Sequence, residues 1–309
     1  MGWISDKLVI LVLVVGSIAL FFPEPALQLS WITIPVLAAM VFCVSMTISL
    51  EDILRIRRYP WIIVTSLALQ FVVMVFFSFL LGRIFFSSQQ NLNVGQILLG
   101  ALPADISAPL MVTLVGGDTA LGMAMLVSAM LLTPFILPLI LTTFGGISIQ
   151  VPIGYLEAEL FGIIIFPMIA GILINCYLGC NPQRKDIFQG SAACCYLLLL
   201  FVVVSSNAMS ILSLKELAFI ILSAEVLLNF FGYCCVYVIY VIFRNARDAI
   251  LPLFFIVGTK EFGIAPATTE AMGLSSSIVI PSVFYAIVQM ISSPLLVKIL
   301  NYYKKNAFR

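Results

Sequence analysis

Histidine does not occur among the 309 residues, which removes the commonest metal ligand and the commonest general base near neutral pH. Charge is scarce as well: Asp, Glu, Lys and Arg make up 9% of the chain, against roughly 25% in a soluble domain. The net charge of +1 has little to offer a polyanion, so no nucleic-acid partner is expected. Cys43, Cys176, Cys180, Cys194, Cys195, Cys234 and Cys235 nearly all lie inside apolar runs. They show neither zinc-ligand spacing nor a disulfide framework and read as small lipid- or core-facing residues. No serine sits in a G-x-S-x-G elbow, so an intramembrane hydrolase has no motif to rest on. What is abundant is hydrophobicity, 62% of residues with a mean hydropathy of +1.19. A bilayer span needs about 20 apolar residues, so this content supplies about nine or ten spans and leaves no room for a folded extramembrane domain. Soluble enzymes, disordered regulators and secreted disulfide scaffolds are excluded, and an all-α polytopic membrane protein is expected.

Apolar runs between breakers predict ten transmembrane helices, at about 7–23, 31–50, 61–86, 96–116, 119–144, 161–181, 191–212, 217–243, 249–273 and 275–300. The first run resembles a signal-peptide core preceded by Lys7. No small-residue cleavage site follows it, however, and Phe21-Phe22-Pro23 ends it as a helix stop, so it reads as a span. With the N-terminus inside, the inner segments hold Lys7, Arg55, Arg57, Arg58, Arg184, Lys185, Arg244, Arg247, Lys304, Lys305 and Arg309, while the outer loops hold only Arg83 and Lys215. This asymmetry is the positive-inside signal and places both termini in the cytoplasm, in a multi-pass protein of the cell's inner membrane. Trp3, Trp31 and Trp61 fall at span ends, where indole rings anchor at the interface. Ser275-Ser276-Ser277 is placed to cap the last span.

The two halves of the chain are weakly alike. Span 3 carries Leu69-Gln70-Phe71 and span 8 carries Ala224-Glu225-Val226, with Asn229 one turn on. Each is followed by a breaker-rich span: Gly100-Ala101-Leu102-Pro103-Ala104-Asp105-Ile106-Ser107-Ala108-Pro109 in span 4, and Gly258-Thr259-Lys260-Glu261-Phe262-Gly263-Ile264-Ala265-Pro266 in span 9. Interrupted helices at corresponding places in two halves mark a crossing of discontinuous helices. Because each half has five spans, the second half is expected upside down relative to the first. The expected units are a five-helix repeat over 1–146 and its inverted counterpart over 147–309. Asp105, Glu225, Lys260 and Glu261 lie mid-span, where an ionisable group costs about 2.5–3.5 kcal/mol on the insertion scale and so should face a partner or a cavity. Broken helices add unpaired backbone N–H and C=O groups, which makes the crossing a candidate ion and anion site. The candidate substrate- and ion-binding residues are Gln70, Asp105, Ser107, Glu225, Asn229, Thr259, Lys260 and Glu261. A buried Asp105–Lys260 salt bridge that only pins the fold is the structural alternative.

Several segments in order resemble the bile acid:sodium symporter family. Met46-Thr47-Ile48-Ser49-Leu50-Glu51-Asp52 followed by Arg57-Arg58 is similar to its connector after span 2, and Leu69-Gln70-Phe71 with Met74 to its span 3. Gly117-Asp118, then Leu131-Leu132-Thr133-Pro134 and Pro138, resembles its span 5. Asn229 with Gly232, and Val257-Gly258 before Gly263-Ile264-Ala265, resemble its span 8 and second crossover. The resemblance implies a panel domain of spans 1, 2, 6 and 7, a core domain of spans 3–5 and 8–10, and alternating access as the core rocks against the panel. The sodium ligands that it implies are largely replaced. Ile256 stands where the family has Glu, Lys260 and Glu261 stand for its Gln and Asn, and Ala108 and Pro109 stand for its Ser-Asn pair. Gln70 alone is retained, so a sodium ion near Gln70 is the one metal site the resemblance leaves.

The expected function is a secondary active transporter of a small organic anion, with no cofactor and with Na+ or H+ as coupling cation. Lys260 would supply, as a fixed ammonium, the charge a sodium ion supplies elsewhere, with Asp105 and Glu261 as counter-charges and titration of a carboxylate coupling transport to protons. The alternatives are an auxin-efflux-like carrier, a sodium/proton-antiporter-like exchanger, and a non-transporting membrane sensor or subunit. The partners expected are the organic anion, the coupling cation and the lipid bilayer.

Overall fold

The computed structural model describes residues 2–24, 29–145, 153–179, 181–243 and 246–307, and every regular element within them is helical. Cys180, Arg244, Arg309 and the expected repeat boundary at 146/147 lie outside the described residues. In chain order the helices are α1 (Gly2–Phe21), α2 (Thr33–Ser45), α3 (Leu50–Arg58), α4 (Pro60–Phe85), α5 (Gln90–Ala101), α6 (Ala108–Leu114) and α7 (Thr119–Phe144). They continue as α8 (Ile153–Leu178), α9 (Pro182–Ser213), α10 (Glu216–Ile242), α11 (Arg247–Gly258), α12 (Ile264–Ala271) and α13 (Ile280–Ala307). Six of them, α4, α7, α8, α9, α10 and α13 with the turn before it, are long and apolar enough to cross a bilayer alone. The α2–α3 pair, bent by 77°, makes a seventh if counted as one span.

Local chemistry explains the ends. After α2 the chain turns through Met46–Ser49, where the Asn175 amide of α8 donates to the Ile48 carbonyl at 2.8 Å. The Ser49 hydroxyl then accepts from the Asp52 N–H while Asp52 accepts from the Ser49 N–H, a reciprocal capping box. α3 carries Glu51 and Asp52 in its first turn and Arg55, Arg57 and Arg58 in its last, matching both ends of the helix dipole. Arg55 also pairs with Asp118, the residue capping α7, at 3.5 Å. Pro134 and Pro138 lie inside an unbroken α7. Ser275 makes no side-chain cap; its hydroxyl bonds that of Ser277 at 2.7 Å, and a 3-10 turn leads into α13. The expected cap is absent because the tight turn brings the two hydroxyls together in place of an N–H.

The two breaker clusters interrupt their helices as the sequence indicates. α5 stops at Ala101 and α6 resumes at Ala108; α11 stops at Gly258 and α12 resumes at Ile264. Residues 102–105 and 259–263 are buried, as are most of their neighbours. Two glycines let the surrounding helices close on these breaks. A Cβ on Gly258 would lie 2.1 Å from the Tyr233 ring of α10, and one on Gly100 would lie 2.5 Å from Ser78 Cβ of α4.

Candidate functional site

The broken ends bind each other directly. The Glu261 N–H donates to the Pro103 carbonyl at 2.9 Å, and the Asp105 N–H to the Thr259 hydroxyl at 3.3 Å. The Glu261 carboxylate accepts from the Ile106 N–H at 3.1 Å and from the Gly263 N–H at 3.2 Å, one on each oxygen. Asp105 likewise fills both oxygens, from the Ser107 N–H at 2.6 Å and the Gln289 amide at 2.8 Å. These N–H groups lie at or just before the first turns of α6 and α12, where a helix start leaves donors without backbone partners.

Lys260 takes the opposite pole. Its Nζ donates to the carbonyls of Gly100 and Leu102, each at 2.8 Å, and reaches that of Gln70 at 3.4 Å. Gly100 and Leu102 close the last turn of α5, where unpaired carbonyls and the negative end of the dipole meet. The side chain is 0% exposed, so this oxygen cage is what makes its burial tolerable. Gln70 sits in a π-turn of α4, Leu69–Val73, a widened turn that recurs at functional sites. Its Oε1 accepts the Ala104 N–H at 3.0 Å, and its Nε2 donates to the Ser66 hydroxyl at 3.0 Å. Among the described residues Lys260 forms no ion pair with Asp105 or Glu261. The salt bridge weighed as the structural alternative is therefore replaced by carbonyl ligation, because both carboxylates are already engaged by N–H donors.

Around this centre lie residues that sequence reasoning left aside. Gln289 of α13 accepts from the Lys260 N–H at 2.7 Å and donates to the Lys260 carbonyl at 3.0 Å while holding Asp105. Tyr285, also on α13, donates to the Gly258 carbonyl at 2.9 Å, which the Asn229 amide of α10 approaches at 2.7 Å. The end of α11 is thus closed by two donors. Uncharged amides and hydroxyls in an apolar run were the available signal, although they also occur in ordinary helix packing. Of the expected site residues, Gln70, Asp105, Ser107, Asn229, Thr259, Lys260 and Glu261 come together here. Glu225 stands apart, hydrogen-bonded to Gln96 of α5 at 3.3 Å.

Two cavities flank the crossing. One, of ≈ 100 Å³, is lined by Met40, Thr47, Ser107, Met123, Tyr196 and Met290 among others. The Tyr196 hydroxyl is buried and has no partner. The second, of ≈ 250 Å³, is lined by Thr33, Ser206, Asn207, Thr269 and Glu270 with their neighbours. α2 and α9 contribute to both from opposite ends, Tyr196 and Asn207 being about 16 Å apart along the axis. Between them Gly263 packs on Leu37 and Leu199, leaving no room for a Cβ.

Span-length apolar helices around two interrupted ones, with ionisable groups buried at the breaks, define the class: an integral multi-pass membrane protein. The model of the Sodium Bile acid symporter family matches residues 34–214, more than half of the chain, and the protein belongs to that family of transporters. The matched stretch contains the α5–α6 break and ends before Lys260. The chain is 24% identical over 274 residues, 86% of its length and 82% of the other's, to a Bacillus subtilis (strain 168) protein described as an uncharacterized sodium-dependent transporter, YocS. It is 19% identical over 275 residues, 88% of its length and 89% of the other's, to the uncharacterized YbaS of the same organism.

Proposed function

We propose that the protein is a secondary active transporter that moves a small organic anion by alternating access, with Lys260 as a tethered cation in place of a sodium ion. The observation that carries this reading is the Lys260 ammonium seated on two backbone carbonyls where α5 ends and near a third from the π-turn of α4. Oxygen cages of this kind, made by helix C-terminal ends and unwound backbone, hold coupling cations in transporters with broken helices. A lysine that fills such a cage places a tethered ammonium there and leaves no seat for a metal ion.

The two cavities support alternating access. They lie on one seam, with α2 and α9 along one wall, and the α11–α12 break closes the seam between them at Gly263. In this reading α1, α2, α3, α8 and α9 form the panel and the rest form the core, ten spans in all as two inverted repeats divided near 146/147, with both termini cytoplasmic. The ≈ 100 Å³ cavity is well below the roughly 300–1,000 Å³ of sites for drug-sized ligands, which favours a small substrate. Its apolar walls suit the body of an organic acid, and Ser107 and the free Tyr196 hydroxyl suit its carboxylate. Lys260 lies behind the wall and contributes a positive field rather than a direct contact.

The test is uptake into liposomes of purified protein, with radiolabelled organic acids from a short 2-oxo acid to a bile acid. A proton gradient without sodium is expected to drive uptake of one of the smaller acids. Uptake that needs a sodium gradient overturns the role given to Lys260. Movement of cations alone would establish an exchanger instead.

A further inference from the structure

Among the described residues, Asp105, Glu225, Lys260 and Glu261 are the buried charged side chains, and Glu225 is the one the crossing leaves unused. It lies on α10, roughly 14 Å from the first residue of that helix, and is 0% exposed, as are its neighbours Gln96 and Ser78. Gln96 Nε2 donates to Glu225 Oε2 at 3.3 Å, and the Ser78 hydroxyl donates to the Gln96 carbonyl at 2.6 Å. Two oxygens on this pair, Glu225 Oε1 and Gln96 Oε1, have no hydrogen-bond partner. An ionised Glu225 leaves both stranded, because each is only an acceptor. A single proton on Glu225 Oε1 makes it a donor, and the Gln96 amide oxygen is the open acceptor on the same pair. Acid and amide can then bond reciprocally, N–H to carboxyl oxygen and O–H to amide oxygen.

Among the described residues, no cation forms an ion pair with Glu225. α4 and α5 present the neutral Ser78 and Gln96. From α13 the ionisable neighbour is Tyr285, whose hydroxyl is given to the Gly258 carbonyl. Beyond the end of α11 the charged group is Lys260, held by its carbonyls. Asp105 and Glu261, by contrast, have N–H donors on all four oxygens, so neither is left with an open acceptor. A polar cavity lies nearer the start of α5. One turn before Gln96 on α5, Asn93 leaves its Oδ1 unpartnered, and the next polar residues, Gln89, Gln90 and Asn91, line a cavity of ≈ 530 Å³ with Ser210 and Ser277.

The geometry points to the Glu225–Gln96 pair as the site that binds and releases the proton coupled to transport. This deepens the transport reading above and rests on it. The step is a proton transfer alone, from Glu225 Oε1 to water in the Asn91-lined cavity and back. The test is an infrared pH titration of the purified full-length protein, reading the C=O stretch of a protonated carboxyl group. Wild type is expected to show such a band at neutral pH, shifted in heavy water and lost reversibly as pH rises. Glu225→Gln should lack it yet fold, since the new amide can still donate to Gln96 Oε1; Glu157→Gln should keep it. Identical spectra for wild type and Glu225→Gln overturn the proposal. A Glu225 band that persists at every pH where the protein stays folded marks a resident structural acid and also overturns it. So does a band removed by sodium at constant pH, which would mark a metal-cation site. No solute moves in this measurement, so its failure is separate from failure of the transport reading, which the liposome assay decides.

Discussion

Replacing Lys260 by methionine keeps the length of the side chain and removes its ammonium. The carbonyls of Gly100 and Leu102, which it holds at 2.8 Å, are then buried without a donor. A buried polar group left unsatisfied costs about 1–3 kcal/mol, so Lys260→Met is expected to lower stability by about 2–6 kcal/mol. Lys260→Gln is the more informative change. Its shorter, neutral side chain reopens the cage between Gln70 and the end of α5, and a sodium ion is expected to enter. At a sodium concentration of about 100 times Kd the gain is about 2.7 kcal/mol, a rise in Tm of roughly 5 °C. The assay is thermal unfolding in detergent with sodium chloride against choline chloride at equal ionic strength. Lys260→Gln should be raised by sodium while wild type is indifferent to it. Wild-type stability in Lys260→Met, or an equal sodium response in wild type and Lys260→Gln, would refute the tethered-cation argument.

Three further outcomes test other parts of the protein. Asn229→Leu and Tyr285→Phe should each cost only about 1 kcal/mol, because both side chains address the Gly258 carbonyl. The double variant should exceed their sum, since the last donor goes with it; strict additivity in urea or thermal unfolding contradicts the shared-acceptor picture. Tyr196→Phe removes a hydroxyl that has no protein partner, so stability should hold while the KM for the transported acid rises about three- to tenfold, the loss of one hydrogen bond. An unchanged KM would displace the substrate from that cavity. Arg55→Ala breaks a surface pair whose side chains are 35% and 28% exposed, and a change beyond about 1 kcal/mol would show that the pair does more than exposed ion pairs do.

How far the sequence reaches depends on the range of each interaction. That the chain belongs in a bilayer was legible from composition, because a span is a property of consecutive residues. The helix interruptions at 102–107 and 259–263 were legible for the same reason: Gly, Pro and charged side chains act on their own backbone. The capping box of Ser49 and Asp52 is likewise local. The four buried ionisable groups stood out against a chain with so few charges.

Their partners did not. Lys260 pairs with carbonyls more than 150 positions earlier in the chain, and a carbonyl carries no signature in the sequence that says it is free to accept. Its availability depends on where α5 ends and on α11 ending against it, so the Asp105–Lys260 salt bridge weighed as the alternative gave way to a cage of backbone oxygens. Gln289 and Gln96 were overlooked because a mid-span amide means nothing until its neighbours are known. The division between Asp105 and Glu261, saturated by N–H donors, and Glu225, left with an open oxygen, also belongs to the tertiary structure. Sequence alone determined that the protein is a membrane protein with charges buried at broken helices, because solvation and backbone breaking act residue by residue. Only the packing of distant helices decided which charged groups are met by backbone donors and carbonyls and which keeps an open oxygen.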